Sequence, residues 1–363
     1  MKSDDRRLKI LEYVIDAYIR TGEPVGSATI SQMLGGTVSS ATVRNDMATL
    51  ERLGFLQQPH ASAGRVPTYV GYRLYIKKLM KPQPLSLEQK EEIDQMLLAD
   101  TSSVGAIIDN AVNALAEVTG YVAVSTNNLP RFSVISKVEV VPAGYRLYAI
   151  LLITSAGDIK NKICRMEFDL TDQQLQFFED LLNRELLGIT VDSLNPAMLK
   201  NLTAAMGSYL LSLSPLLYTL YQLSDEIAKR NVDVRGEGNL LKYSDFQTKE
   251  LMQFLSAKEQ IGHILTSAFS GINVVFGKET DTFAITNSSL VLSNYGQKQP
   301  IGSFGVIGPI RLDYAKVIPY VSYFSESVSR MIDKMLEEGR KGELDETGNG
   351  DRTDSGDKED KGN

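Results

Sequence analysis

Apolar positions in residues 5–20 (Leu8, Leu11, Val14, Ile15, Tyr18 and Ile19) recur at helical spacing, and Thr21-Gly22-Glu23-Pro24 ends the helix they predict. A short second helix is expected from about Ser27, read as its capping residue, to Leu34, with Gly35-Gly36 closing it. A third is expected from about Ser40 to Leu53, stopping at Gly54. The run from Phe55 to Pro67 then reads as two short extended pieces around a small-residue turn.

Beyond this head the pattern changes. Residues 68–80 look helical, and Lys81-Pro82-Gln83-Pro84 is a stiff break expected to mark a domain boundary. Helical segments follow near 86–99 and 102–119. Strand-like runs span Tyr121 to Ser125, Ser133 to Val141, Tyr145 to Thr154 and Asp158 to Phe168, punctuated by turn residues, so a four-strand antiparallel meander is expected. A helix-rich block occupies about 171–230, with helices from Asp172 to Leu187 and from Pro196 to Lys229. Its apolar run Tyr209 to Tyr218 fits either a dimer surface or monomer core. Strands resume at Ile272 to Phe276, Ala284 to Leu292 and Ser303 to Ile307, before a last amphipathic helix over about 314–336. A strand block interrupted by helices predicts an α+β domain with an insertion. From Gly339 the Gly- and charge-rich chain has too little apolar surface to offset ordering entropy, and is expected to be a disordered tail.

Composition narrows the function classes. The 363 residues are 43% hydrophobic and 23% charged, enough for a sizeable core. No signal-peptide core opens the chain and no apolar run reaches membrane length, so no membrane partner and a cytoplasmic location are expected. The single cysteine, Cys164, excludes an internal disulfide and reads as a strand core residue or, less simply, a redox sensor. With only His60 and His263, neither metal ligation nor histidine catalysis is well supplied, and no phosphate loop, dinucleotide fingerprint or nucleophile elbow appears. No enzyme activity, cofactor or metal is expected. The net charge of −7 conceals a split: residues 1–81 hold twelve Lys/Arg against seven Asp/Glu, giving +5, while the remainder carries −12. A basic head on an acidic body is suited to local phosphate contact.

Three helices and a hairpin in so short a span are the layout of a winged helix-turn-helix. On the third helix Val43, Met47, Leu50 and Leu53 form the face expected to pack inward, while Ala41, Arg44, Asn45, Ala48 and Arg52 face out. Arg can bridge guanine O6 and N7, Asn can bridge adenine N6 and N7, and small alanines allow close entry to a major groove. The lead-in Ser39, Ser40 and Thr42 presents hydroxyls and free N–H groups to phosphate. In the hairpin, His60, Ser62, Ala63, Gly64 and Arg65 are expected at the tip, with Arg65 as a phosphate or minor-groove contact. His60 reads equally as a plain turn residue, and Arg73, Lys77 and Lys78 as phosphate track or solvated face.

The run Ser39 to Gly54 resembles many bacterial winged-helix repressors. Its continuation, Gln58-Pro59-His60-Ala61-Ser62-Ala63-Gly64-Arg65-Val66-Pro67-Thr68 with Gly71-Tyr72-Arg73, resembles the heat-inducible transcription repressor family HrcA. Ser293-Asn294-Tyr295-Gly296 and the stretch Ile301 to Tyr314 are similar to that family's other signature. The resemblance covers about residues 5–336. It implies an α+β chain: a winged helix-turn-helix DNA-binding domain (1–81), a GAF-like domain in two parts (86–168 and 236–338) and an inserted helix-rich dimerisation domain (169–235), with the tail at 339–363. It also implies a homodimer on double-stranded DNA at an inverted-repeat operator, CIRCE, upstream of chaperone genes. A GroE-type chaperonin would support the active repressor, and repression would be lost on heat shock. The alternative is a repressor gated by a small molecule in the GAF-like domain, although no convergent polar set defines a pocket for one.

Overall fold

The computed structural model describes residues 3–127, 134–228, 232–243, 245–246, 258–265, 271–277, 287–296 and 300–348. They form an α+β chain of two compact units. The described residues of Met1–Ala99, Ile108–Asn127 and Arg230–Val328 make the first; those of Asp100–Ile107, Asn128–Lys229 and Ser329–Asn363 make the second.

The first unit opens with α1 (Ser3–Thr21), α2 (Ser27–Met33) and α3 (Ser40–Arg52), followed by a minimal antiparallel hairpin of β1 (Leu56–Gln57) and β2 (Val66–Pro67). Ile10, Leu11, Val14 and Ile15 of α1 are buried, as are Ile30 of α2, Val43, Met47 and Leu50 of α3, and Leu56 and Val66 of the hairpin. Two details depart from expectation. Gly26, not Ser27, occupies the cap position of α2 and has no side chain to cap it with; the Ser27 hydroxyl is 3.0 Å from that of Ser40. Leu53, the C-cap residue of α3, is exposed and does not continue the buried face.

The expected helix over 68–80 is α4 (Tyr69–Leu74) running into a five-residue π-helical turn, Tyr75–Leu79, closed by Met80 N–H donating to Tyr75 O at 2.8 Å. The Lys81–Pro84 segment is exposed, as a linker should be. Gln83 N–H donates to Ala315 O at 2.9 Å. The ring of Tyr72 lies 6.3 Å from that of Phe276 and 5.7 Å from that of Tyr314. Arg311 packs beside Gly22 at the end of α1 and forms a two-pronged pair with Asp245, at 2.9 and 2.8 Å. The Tyr72 ring contacts and the packing of Arg311 beside Gly22 join the head to the body.

That body includes α5 (Leu87–Leu97), α6 (Val104–Thr119) and a wholly antiparallel five-stranded sheet. Its order is β7 (Val232–Arg235), β3 (Val122–Asn127), β10 (Gly302–Pro309), β9 (Ser288–Tyr295) and β8 (Ile272–Phe276). One face buries Val122, Val124, Val234, Leu290, Leu292 and Ile307 against Ile261 and Leu265 of α10 (Lys258–Leu265). The part of the expected Ala284–Leu292 strand before residue 287 lies outside the described residues.

The second unit holds the three-stranded antiparallel meander β4 (Ile135–Gly144), β5 (Leu147–Thr154) and β6 (Ile159–Arg165) with helices α7 (Asp172–Leu186), α8 (Pro196–Ala205) and α9 (Leu210–Ala228). Strands and helices share one core, which includes Val138, Ile150, Leu152, Phe178, Leu182 and Leu202. The expected four-strand meander is therefore corrected to three, because β3 pairs with β10 and β7 in the other sheet. The chain leaves the five-stranded sheet after Asn127 and rejoins it at Val232, with the meander and helices α7–α9 in between. The expected helix Pro196 to Lys229 is broken at Gly207, which has a left-handed φ of 54°. In the apolar run, Leu213, Leu216 and Leu217 are core and Tyr218 is exposed. Cys164 is buried in the same core, its Sγ 3.6 Å from Met166 Sδ.

The last helix, α11, spans Tyr314–Gly348 rather than stopping near 336. Residues 339–348, expected in a disordered tail, are thus helical; no proline follows Pro319, and Glu, Arg, Lys and Leu favour helix. Residues 349–363 lie outside the described residues. No helix among the described residues is long and apolar enough to cross a membrane.

Candidate nucleic-acid interface

Two left-handed glycines, Gly35 and Gly36 (φ 66° and 70°), turn the chain between α2 and α3, and the Ser31 hydroxyl fastens the turn by donating to Val38 O at 2.7 Å. Ser39 caps α3, its Oγ accepting from Thr42 N–H at 3.1 Å with the Thr42 hydroxyl 2.9 Å away. Ser39 is exposed and Thr42 half-buried, so both remain at the surface. Ser40 is half-buried with its hydroxyl against Ser27, which engages the group expected to meet phosphate.

Along α3 the inward face is Val43, Met47 and Leu50, and the outward face carries Ala41, Arg44, Asn45 and Arg52, all exposed. Arg52 donates to Thr49 Oγ1 at 3.0 Å, and the Thr49 hydroxyl donates to Asn45 O at 3.1 Å. The side chains of Arg44 and Asn45 have no protein partner among the described residues. The face thus presents a cation and an amide with their hydrogen-bonding groups open to solvent.

The hairpin is braced from within. Gln58 Nε2 donates to Ala61 O and Ala63 O, at 2.9 and 3.0 Å, and Ala63 N–H donates to His60 O. His60 and Ser62 are exposed on this loop. Arg65 stands apart from them, at the hairpin's root. Its backbone exchanges hydrogen bonds with Val25, both 2.9 Å, and its guanidinium grips Glu51 of α3 through Nε (3.0 Å) and Nη2 (2.9 Å). The expected tip position of Arg65 is corrected accordingly, since the ladder to Val25 draws the residue down onto α3. A side chain at Gly64 would come within 2.4 Å of Val25 O, so this approach requires glycine. Lys77 and Lys78 are exposed, and Arg73 lies over the ring of Phe276.

One charged element escaped the sequence reading. Asp46, on α3 beside Asn45, is buried and accepts from Arg6 Nε at 2.7 Å and Arg7 Nε at 3.3 Å, both on α1. An acidic residue in a basic head was the only signal available, and spacing alone could not name its partners. Further along α1, burial holds the Asp16 carboxyl above its ordinary pKa, partly offset by the Tyr75 hydroxyl donating to it at 2.6 Å. Among the described residues no three His, Cys, Asp or Glu side chains are grouped to hold a metal.

Comparison with known proteins adds family membership. The family model described as HrcA protein C terminal domain matches residues 105–318. The chain is 30% identical to the heat-inducible transcription repressor HrcA of Acetivibrio thermocellus, over 94% of this chain and 99% of that one. It is 32% identical to the heat-inducible transcription repressor HrcA of Ruminiclostridium cellulolyticum, over 93% of this chain and all of that one. A crystal structure of a hypothetical protein at 2.2 Å resolution superimposes with a TM-score of 0.63 at 24% identity, covering 91% of this chain and 99% of the other, a likeness of fold. The chain belongs to the HrcA family, whose members are heat-inducible transcription repressors and not enzymes.

Proposed function

We propose that this chain represses transcription by binding double-stranded DNA through a winged helix-turn-helix made of α1–α3 and the β1–β2 hairpin. Helix α3 is the reading helix: Arg44 and Asn45 address base edges in the major groove, and Arg52 supports them from the next turns. Ser39 and Thr42 at its N-terminus approach backbone phosphate, and His60 on the hairpin loop approaches the neighbouring groove. Ser40 and Arg65 serve the same face by bracing it, through Ser27 and Glu51. The observation that carries this reading is the open outward face of α3, whose opposite face is anchored in the core.

The family resemblance supplies the rest of the proposal. The active form is a cytoplasmic homodimer, because two symmetric reading helices match the two halves of an inverted repeat such as CIRCE. The body is GAF-like, the insertion contributes to dimerisation, and a GroE-type chaperonin maintains the active fold until heat withdraws it. Gel shifts on an inverted-repeat duplex and a random duplex test the central claim. Arg44→Ala should cost about 1–3 kcal/mol on the inverted repeat and little on random sequence. Equal affinity of wild type and Arg44→Ala for the inverted repeat would remove Arg44 from the reading face.

A further inference from the structure

The Asp46 cluster contains more positive charge than its packing requires. The Asp46 side chain is 6% exposed, and Arg6 alone meets it with two prongs, Nε to Oδ2 at 2.7 Å and Nη2 to Oδ1 at 3.5 Å. That pair would satisfy a buried carboxylate. Arg7 nevertheless adds a second guanidinium, Nε to Oδ1 at 3.3 Å. Its other contact, Nη1 to Asp4 at 3.0 Å, involves a carboxylate that is 89% exposed and therefore strongly screened by water. Two cations share the one buried anion, and the positive charge left over is met only by the exposed, screened Asp4 carboxylate. Both arginines also keep N–H donors that these bonds do not use, and their side chains are 25% and 31% exposed.

The location gives that surplus a use. Asp46 follows Asn45 directly and lies one turn from Thr42 and Thr49, on the flank of α3 that borders its outward face. A phosphate needs what this cluster supplies: planar donors in fixed orientation, with their ordering entropy already lost on folding. We propose that Arg6 and Arg7 form a preassembled clamp for DNA backbone phosphate beside the reading helix, with Asp46 as the positioning residue that aims both guanidiniums. The proposal rests on the repressor reading above and adds a contact from α1 that fixes the register of α3 in the groove.

The test uses the full chain with an inverted-repeat duplex and a random duplex of equal length, titrated across salt. Arg7→Gln leaves Asp46 paired with Arg6, so the fold is kept. It should weaken both duplexes by the same factor and reduce the slope of log K against log salt by about 0.9, the mark of one lost phosphate contact. Arg7→Lys should restore most of that slope. A purely structural pair would lower the melting temperature and leave the slope at the wild-type value, which overturns the clamp. Phenylglyoxal modification of the wild-type protein, mapped by peptide mass, reads the contact without any substitution. Bound duplex should protect Arg6 and Arg7, and equal modification with and without duplex overturns the proposal. Arg44→Ala, run alongside, separates the two failures. If it loses selectivity while Arg7→Gln keeps the wild-type slope, only the clamp is wrong; if wild type itself shows no preference for the inverted repeat, both readings fall.

Discussion

Replacing Tyr72 by Phe removes one oxygen from the contact between head and body, and the structure predicts that the protein becomes more stable. Tyr72 is fully buried among Phe276 and Tyr314, and its hydroxyl has no hydrogen-bond partner among the described residues. A buried unsatisfied polar group costs about 1–3 kcal/mol, while the ring contacts survive in Phe and the void left is smaller than a methyl group. The net expectation is a gain of about 1 kcal/mol. Three residues later Tyr75 is also buried, but its hydroxyl donates to Asp16 at 2.6 Å. Tyr75→Phe deletes a bond to a half-buried carboxyl that water can partly reach, for a loss of about 1 kcal/mol. The two substitutions should move the melting temperature in opposite directions, each by roughly 2–4 °C. Differential scanning calorimetry measures both, and operator binding followed against temperature should shift with them if heat releases the repressor by loosening this contact. A lower melting temperature for Tyr72→Phe would refute the reasoning, because it would mean that the hydroxyl is satisfied in the folded protein.

Arg65→Ala breaks a part-buried pair with Glu51 and should lower stability by up to about 1 kcal/mol in urea titrations. The salt slope of DNA binding should stay unchanged; a slope reduced by about 0.9 would restore Arg65 as a direct phosphate contact. Gly64→Ala forces Cβ to within 2.4 Å of Val25 O, so the hairpin root must move, with an expected loss of more than about 2 kcal/mol; full stability would show that the root is loose. Asp16 has its carboxyl pKa raised by burial, so the folded state holds that proton more tightly than the unfolded chain. Its contribution to stability is present at acid pH and is lost as pH rises from the ordinary carboxylate range through the raised value. Asp16→Asn should abolish that component in urea midpoints measured against pH, and an unchanged profile would contradict the assignment.

The head was legible because each of its signals is local. Periodicity placed α1, α2 and α3, the glycines after them marked their ends, and the outward face of α3 could be named down to Arg44 and Asn45. What failed in the head depended on partners across the fold. Ser27 looked like a cap until Ser40 took its hydroxyl, and Arg65 looked like a hairpin tip until Val25 and Glu51 drew it to the root. Asp46 carried no local mark of its two arginines, 39 and 40 residues earlier.

The larger error, the meander of four strands, has the same origin at greater range. A strand's alternation states which of its faces is buried and is silent about which strand lies beside it. β3 precedes β4 in the chain but pairs with β10, from Val122 opposite Ile307 to Asn127 opposite Gly302. The meander and helices α7–α9 close their core from residues 135–223, mostly between neighbours in sequence. The five-stranded sheet instead assembles from segments on both sides of that insertion, and its loop-closure entropy is lost before any pairing compensates. Phe276 on β8, with Tyr314 and Arg311 just beyond β10, supplies the surface that holds Tyr72 and Gly22 of the head. The firmness of the α1–α3 head therefore depends on the sheet whose pairing is least local, and a modest rise in temperature should loosen the head through that sheet.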